Sequence, residues 1–65
     1  MTLTPRQREV LRRYVSGETH AQIARGIGCA PGTVKQHIHD IRDRLGAVGE
    51  PARKFMLVAM RVVSE

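Results

Sequence analysis

Apolar residues recur at helical spacing in four separate stretches of the chain. Val10, Leu11, Tyr14 and Val15 form the first stripe. Ala21, Ile23, Ala24 and Ile27 form the second, and Val34, Ile38, Ile41 and Leu45 the third. The fourth stretch carries two stripes, Ala52–Phe55–Ala59–Val62 and Met56–Met60–Val63, with Leu57 and Val58 beyond them. Repeats of three and four place such residues on one face of an α-helix. Nothing in the chain alternates with the period of two that a half-buried strand needs. The pattern predicts an all-α domain of four helices.

Polar residues set the boundaries. Thr4, Pro5 and Gln7 read as an N-cap, a first-turn proline and the far side of a capping box. Ser16-Gly17 is the matching stop. Thr19 and Gln22 repeat the capping-box spacing for a second helix of about two turns, ended by Gly28. Gly26 inside that helix costs roughly 1 kcal/mol of propensity relative to Ala. Pro31 opens a third helix that runs to Leu45. Residues 46–50 form a linker, and Pro51 opens a fourth helix to about Val63.

Helices two and three, joined by a tight turn, have the helix-turn-helix arrangement. In that arrangement the second helix of the pair enters the DNA major groove by its N-terminal part. With Val34, Ile38, Ile41 and Leu45 turned inward, Gln36, His39 and Asp43 point outward, flanked by Lys35 and Asp40. Lys35, Gln36 and His39 lie in the N-terminal half and are the candidates for reading base edges. Lys can donate to guanine, Gln can pair bidentately with adenine, and His can donate or accept. Thr33 offers a hydroxyl and a backbone N–H to a phosphate at the helix N-terminus. Asp40 and Arg44, four apart in the favourable order, read as a surface ion pair.

Composition supports a polyanionic partner. The 65 residues allow one domain, and eleven Lys and Arg against six Asp and Glu give a formal charge of +5. Such a balance suits nucleic acid or an acidic surface. Tyr14 and Phe55 are the only aromatics, too few for the stacking platforms that single-stranded nucleic acid requires. The single cysteine, Cys29, rules out an intrachain disulfide and is expected to act as a small buried hydrophobe. No apolar run approaches the roughly 20 residues of a membrane span, so no membrane partner is expected. His37 and His39 point to different faces and cannot chelate a metal together. No nucleophile–base pair or phosphate loop is visible, so neither an enzyme nor a cofactor is expected.

The segments "LTPRQREVL", "GETHAQIA" and "GTVKQHIHDIRDRLG" together resemble the DNA-binding domain of LuxR/FixJ/GerE-type transcription regulators. The resemblance is strong over residues 3–46 and looser over the last helix. It implies a four-helix fold with helix three as recognition helix and helix four at a two-fold dimer interface. It puts Lys35, Gln36 and His39 where the family reads bases. It puts Thr33 and His37 where the family holds the DNA backbone or orients the recognition helix. Arg42 and Thr19 complete the expected backbone contacts. Three positions depart from the family pattern: Ala30 replaces a capping Ser or Thr, Asp40 and Asp43 place acids on the recognition helix, and Gly49-Glu50 replaces a stretch that often reads Asn-Arg.

The expected protein is a small stand-alone regulator, cytoplasmic and nucleoid-associated, that binds double-stranded DNA as a homodimer. Met56, Met60 and Val63 are its expected dimer residues. Helix four has more apolar surface than one core contact can cover, which calls for a second partner. The rival reading is a protein-binding module. The four-helix pattern also resembles the promoter-reading region of sigma factors, so this surface would dock RNA polymerase or another regulator.

Overall fold

The computed structural model describes residues 3–64. Four helices follow one another: α1 (Pro5–Val15), α2 (His20–Ile27), α3 (Pro31–Arg44) and α4 (Ala52–Ser64). No strand occurs among the described residues. Both predicted capping boxes form. Thr4 Oγ1 accepts from the Gln7 N–H at 3.1 Å, and Gln7 Oε1 accepts from the Thr4 N–H at 3.0 Å. Thr19 and Gln22 repeat the exchange at 3.1 and 2.7 Å. Ala30 caps α3 with no side-chain bond, a loss of about 1 kcal/mol against Ser or Thr. At the other end of α3, the Gly46 N–H donates to Asp43 O and the Ala47 N–H to Arg42 O, a Schellman closure.

The central element is α1, which packs on α2, α3 and α4. Val10 and Leu11 from α1 meet Ile23 and Ala24 from α2, Val34, Ile38 and Ile41 from α3, and Phe55 and Ala59 from α4. Leu3 and Ala47, outside the helices, are buried with them. Phe55 ties α4 to two helices at once. Its ring centroid lies 5.5 Å from that of Tyr14 on α1, and the Arg42 guanidinium of α3 sits 4.9 Å from it.

Three stripe residues sit differently from their sequence pattern. Ala21 is exposed, because two residues before Ile23 it lies about 200° away round the helix. Ala52, in the first turn of α4, is also exposed. Val63, grouped by spacing with Met56 and Met60, is part-buried and packs on the core beside Val62. The most exposed large apolar side chains of α4 are instead Leu57 and Met60, at 59% and 47%.

Gly26 has a tertiary reason that propensity does not show. A Cβ there would clash with the Arg13 guanidinium, which lies across α2. Arg13 is held in place by Glu9 at 2.8 Å and Glu18 at 3.4 Å. The Glu9 hydrogen bond raises its pKa, against the effect of desolvation, and Glu18 adds to the rise. A guanidinium is charged at any working pH, so the consequence is structural. Gly26→Ala should gain clearly less than the ~1 kcal/mol of helix propensity, because Arg13 must be displaced. In an Arg13→Ala background the full ~1 kcal/mol should return. Urea denaturation of the four proteins measures this; equal gains in both backgrounds would show no coupling.

Candidate nucleic-acid interface

The turn between α2 and α3 sets the recognition geometry. Gly28 has φ 77°, a left-handed conformation that costs a residue with a Cβ roughly 1–2 kcal/mol. Its N–H and that of Cys29 both donate to Ala24 O, at 2.8 and 2.9 Å. The chain then turns through Ala30 and re-enters a helix at Pro31. Cys29 is part-buried against the core.

From there α3 is two-sided. Val34 and Ile41 are fully buried and Ile38 nearly so. Thr33, Lys35, Gln36, His39 and Asp43 are exposed, and His37 and Asp40 are half-buried. Lys35 and His39 share a cleft with Tyr14, His20, Ile38 and Arg42. His37 lies on the opposite flank of the helix, about 160° from Lys35 by helical geometry. The sequence candidates therefore divide between an outward group, Lys35, Gln36 and His39, and a lateral one, His37.

Thr19 Oγ1 accepts from the Gln22 N–H, and the hydroxyl keeps its proton for donation. It caps α2 and can still donate to a phosphate. Next to it, His20 is exposed at the first position of α2 and lines the same cleft as Lys35. Sequence reasoning passed over His20. Its place directly after an N-cap, where the helix dipole favours an anion, was the available signal.

Arg42 also serves the fold. Its guanidinium stacks on the Phe55 ring and its Nη2 donates to the Glu50 carbonyl. The side chain is half-buried and holds the α3–α4 linker against α4. Arg42 therefore packs in the fold and at the same time lines the cleft that holds Lys35 and His39. The arginines of α1 are also largely engaged. Arg6 donates to Ile27 O at 3.2 Å, closing the C-terminus of α2, and Arg12 pairs with Glu9 at 2.6 Å.

Asp40, read from spacing as an ion-pair partner of Arg44, accepts a hydrogen bond from Gln36 Nε2 at 3.1 Å. An acid and a candidate base reader are thus joined on the outward face. No helix among the described residues is long and apolar enough to cross a membrane.

Over 61 residues the chain is 38% identical to "Probable transcriptional regulatory protein SgaR" of Hyphomicrobium methylovorum, covering 94% of this chain and 27% of that protein. Over 56 residues it is 34% identical to YhjB of Escherichia coli (strain K12), named as an HTH-type transcriptional regulator, covering 86% of this chain and 28% of that protein. The chain thus spans about a quarter of the length of these relatives. No solved structure matches significantly. The sequence pattern of the luxR family of bacterial regulatory proteins matches residues 1–52, which include the whole of α1, α2 and α3, and the chain belongs to that family.

Proposed function

We propose that the chain is a sequence-specific double-stranded DNA-binding module of a transcription regulator, with α3 inserted in the major groove. The observation that carries this reading is the two-sided α3 set by the Gly28 turn: its inner face is locked into the core while Lys35, Gln36 and His39 are exposed at its N-terminal half. A helix of that kind fits the major groove, where each base pair shows its own donor and acceptor pattern. Thr33, Thr19, His37 and His20 surround it with groups for phosphates.

Two copies paired through α4 complete the proposal. Leu57 and Met60 are exposed, with Met56 half-buried beside them. Contiguous exposed apolar surface of this kind usually marks an interaction site. Two-fold pairing is the simplest closed solution and spaces two recognition helices about 34–36 Å apart. Arg53, Lys54 and Arg61 also lie exposed on α4, so pairing brings like charges together and is weak without DNA.

The experiment compares Met60→Glu with the native chain in band-shift titrations on one half-site and on two. Met60→Glu should bind the single half-site as before and lose the gain from the second, with its helical circular dichroism intact. If Met60→Glu keeps the gain from the second half-site, pairing does not use this face. The exposed face then belongs to another protein, RNA polymerase being the partner class to test.

A further inference from the structure

We infer that Asp40 is a positioning residue for Gln36, fixing which end of the Gln36 amide is presented to a base edge. This rests on the reading of α3 as the helix that faces DNA. Gln36 is exposed, Asp40 is half-buried, and Gln36 Nε2 donates to Asp40 Oδ1 at 3.1 Å across one helical turn.

The chemistry of the two groups gives the bond a direction. The terminal torsion of a glutamine is broad and roughly two-fold, so a free amide offers its oxygen or its nitrogen with little preference. An ionised aspartate has acceptors only and can hold nothing but the nitrogen. The NH₂ group has two hydrogens and spends one on Asp40. The carbonyl oxygen and the second N–H remain for a ligand. Together they match the N6 donor and N7 acceptor that adenine shows in the major groove. Half-burial limits the freedom of the Asp40 carboxylate and makes it a better anchor than a fully solvated one.

The pairing also accounts for an acid on a face that approaches phosphates. The repulsion from Asp40 acts on every DNA sequence alike. The orientation it imposes on Gln36 acts at one base pair. Asp40 therefore lowers general affinity and raises discrimination.

The test uses the purified chain and the DNA it selects from a random pool. The base pair read by Gln36 is the one whose substitution ceases to matter in Gln36→Ala. All four base pairs at that position are then titrated against Asp40→Ala, Asp40→Asn and Asp40→Glu. Preference there should fall about fivefold in Asp40→Ala. It should also fall in Asp40→Asn, which keeps the shape but can hold either end of the amide. Both variants should bind random DNA more tightly than the native chain. Asp40→Glu, again acceptor-only, should retain most of the preference. Circular dichroism confirms that each variant is folded. Unchanged preference in Asp40→Ala and Asp40→Asn, with loss in Gln36→Ala, would overturn the role of Asp40 and leave base reading by Gln36 standing. If Gln36→Ala changes no preference on a site still bound specifically, Gln36 is not a reader and the role of Asp40 falls with it.

Discussion

Phe55→Ala is expected to leave the isolated chain largely unfolded at room temperature. Phe55 is fully buried and is one of the largest side chains in the core. Truncating a buried Phe to Ala typically costs 3–5 kcal/mol. A core in a domain below 70–80 residues rarely supplies more than about 3–5 kcal/mol in total. The loss is therefore as large as the stability available. It also removes the ring against which Tyr14 and the Arg42 guanidinium pack, so α4 and the α3–α4 linker lose a shared anchor. Phe55→Leu, which keeps much of the apolar volume, should cost less than the truncation and remain folded. Helical circular dichroism with urea titration measures both. Cooperative melting of Phe55→Ala close to the native midpoint would mean that α4 is dispensable to the core.

The local parts of this fold were legible because they are written in short-range chemistry. Thr4 with Gln7 and Thr19 with Gln22 state two helix starts within four residues each. Val34, Ile38 and Ile41 state the buried face of α3 by spacing alone. What spacing could not show depends on partners distant in the chain. Gly26 read as a simple propensity loss because Arg13, thirteen positions earlier, is what occupies its Cβ space. The packing of Arg42 on Phe55 and its bond to the Glu50 carbonyl were not visible, because nothing local in the chain reveals either partner. The part-burial of Val63 against the core was not visible either, because helix period says which residues share a face, and not how far round the helix the core extends. In the candidate site, the outward exposure of Lys35, Gln36 and His39 followed from helical geometry. The Gln36–Asp40 bond did not, since Arg44 lies at the same four-residue distance from Asp40 on the other side.

Lys35→Ala should cost about 1–3 kcal/mol on the specific DNA site, or roughly five- to 150-fold in affinity. Lys35 is exposed in the N-terminal half of α3 and opens on the cleft shared with His20 and His39. Its ammonium can donate to guanine O6 and N7 in the major groove. A pure phosphate contact would weaken every sequence alike and reduce the salt slope by about one. A base contact weakens the specific site more and relaxes preference at one position. Fluorescence anisotropy on the specific site and on random DNA, at two salt concentrations, separates the two. Equal losses on both DNAs would make Lys35 a backbone contact. No loss on either would remove it from the interface.

Selection of bound DNA from a random pool, carried out in parallel with the native chain and Lys35→Ala, tests DNA reading by α3 most directly. A helix seated in the major groove, with a two-fold partner, should return one short motif in inverted repeat. Its half-site centres should lie about one DNA turn apart, roughly 34–36 Å. Lys35→Ala should return the same spacing with at least one position of the motif no longer enriched. A native pool in which no sequence is enriched, or a motif left unchanged by Lys35→Ala, Gln36→Ala and His39→Ala alike, would contradict base reading by α3.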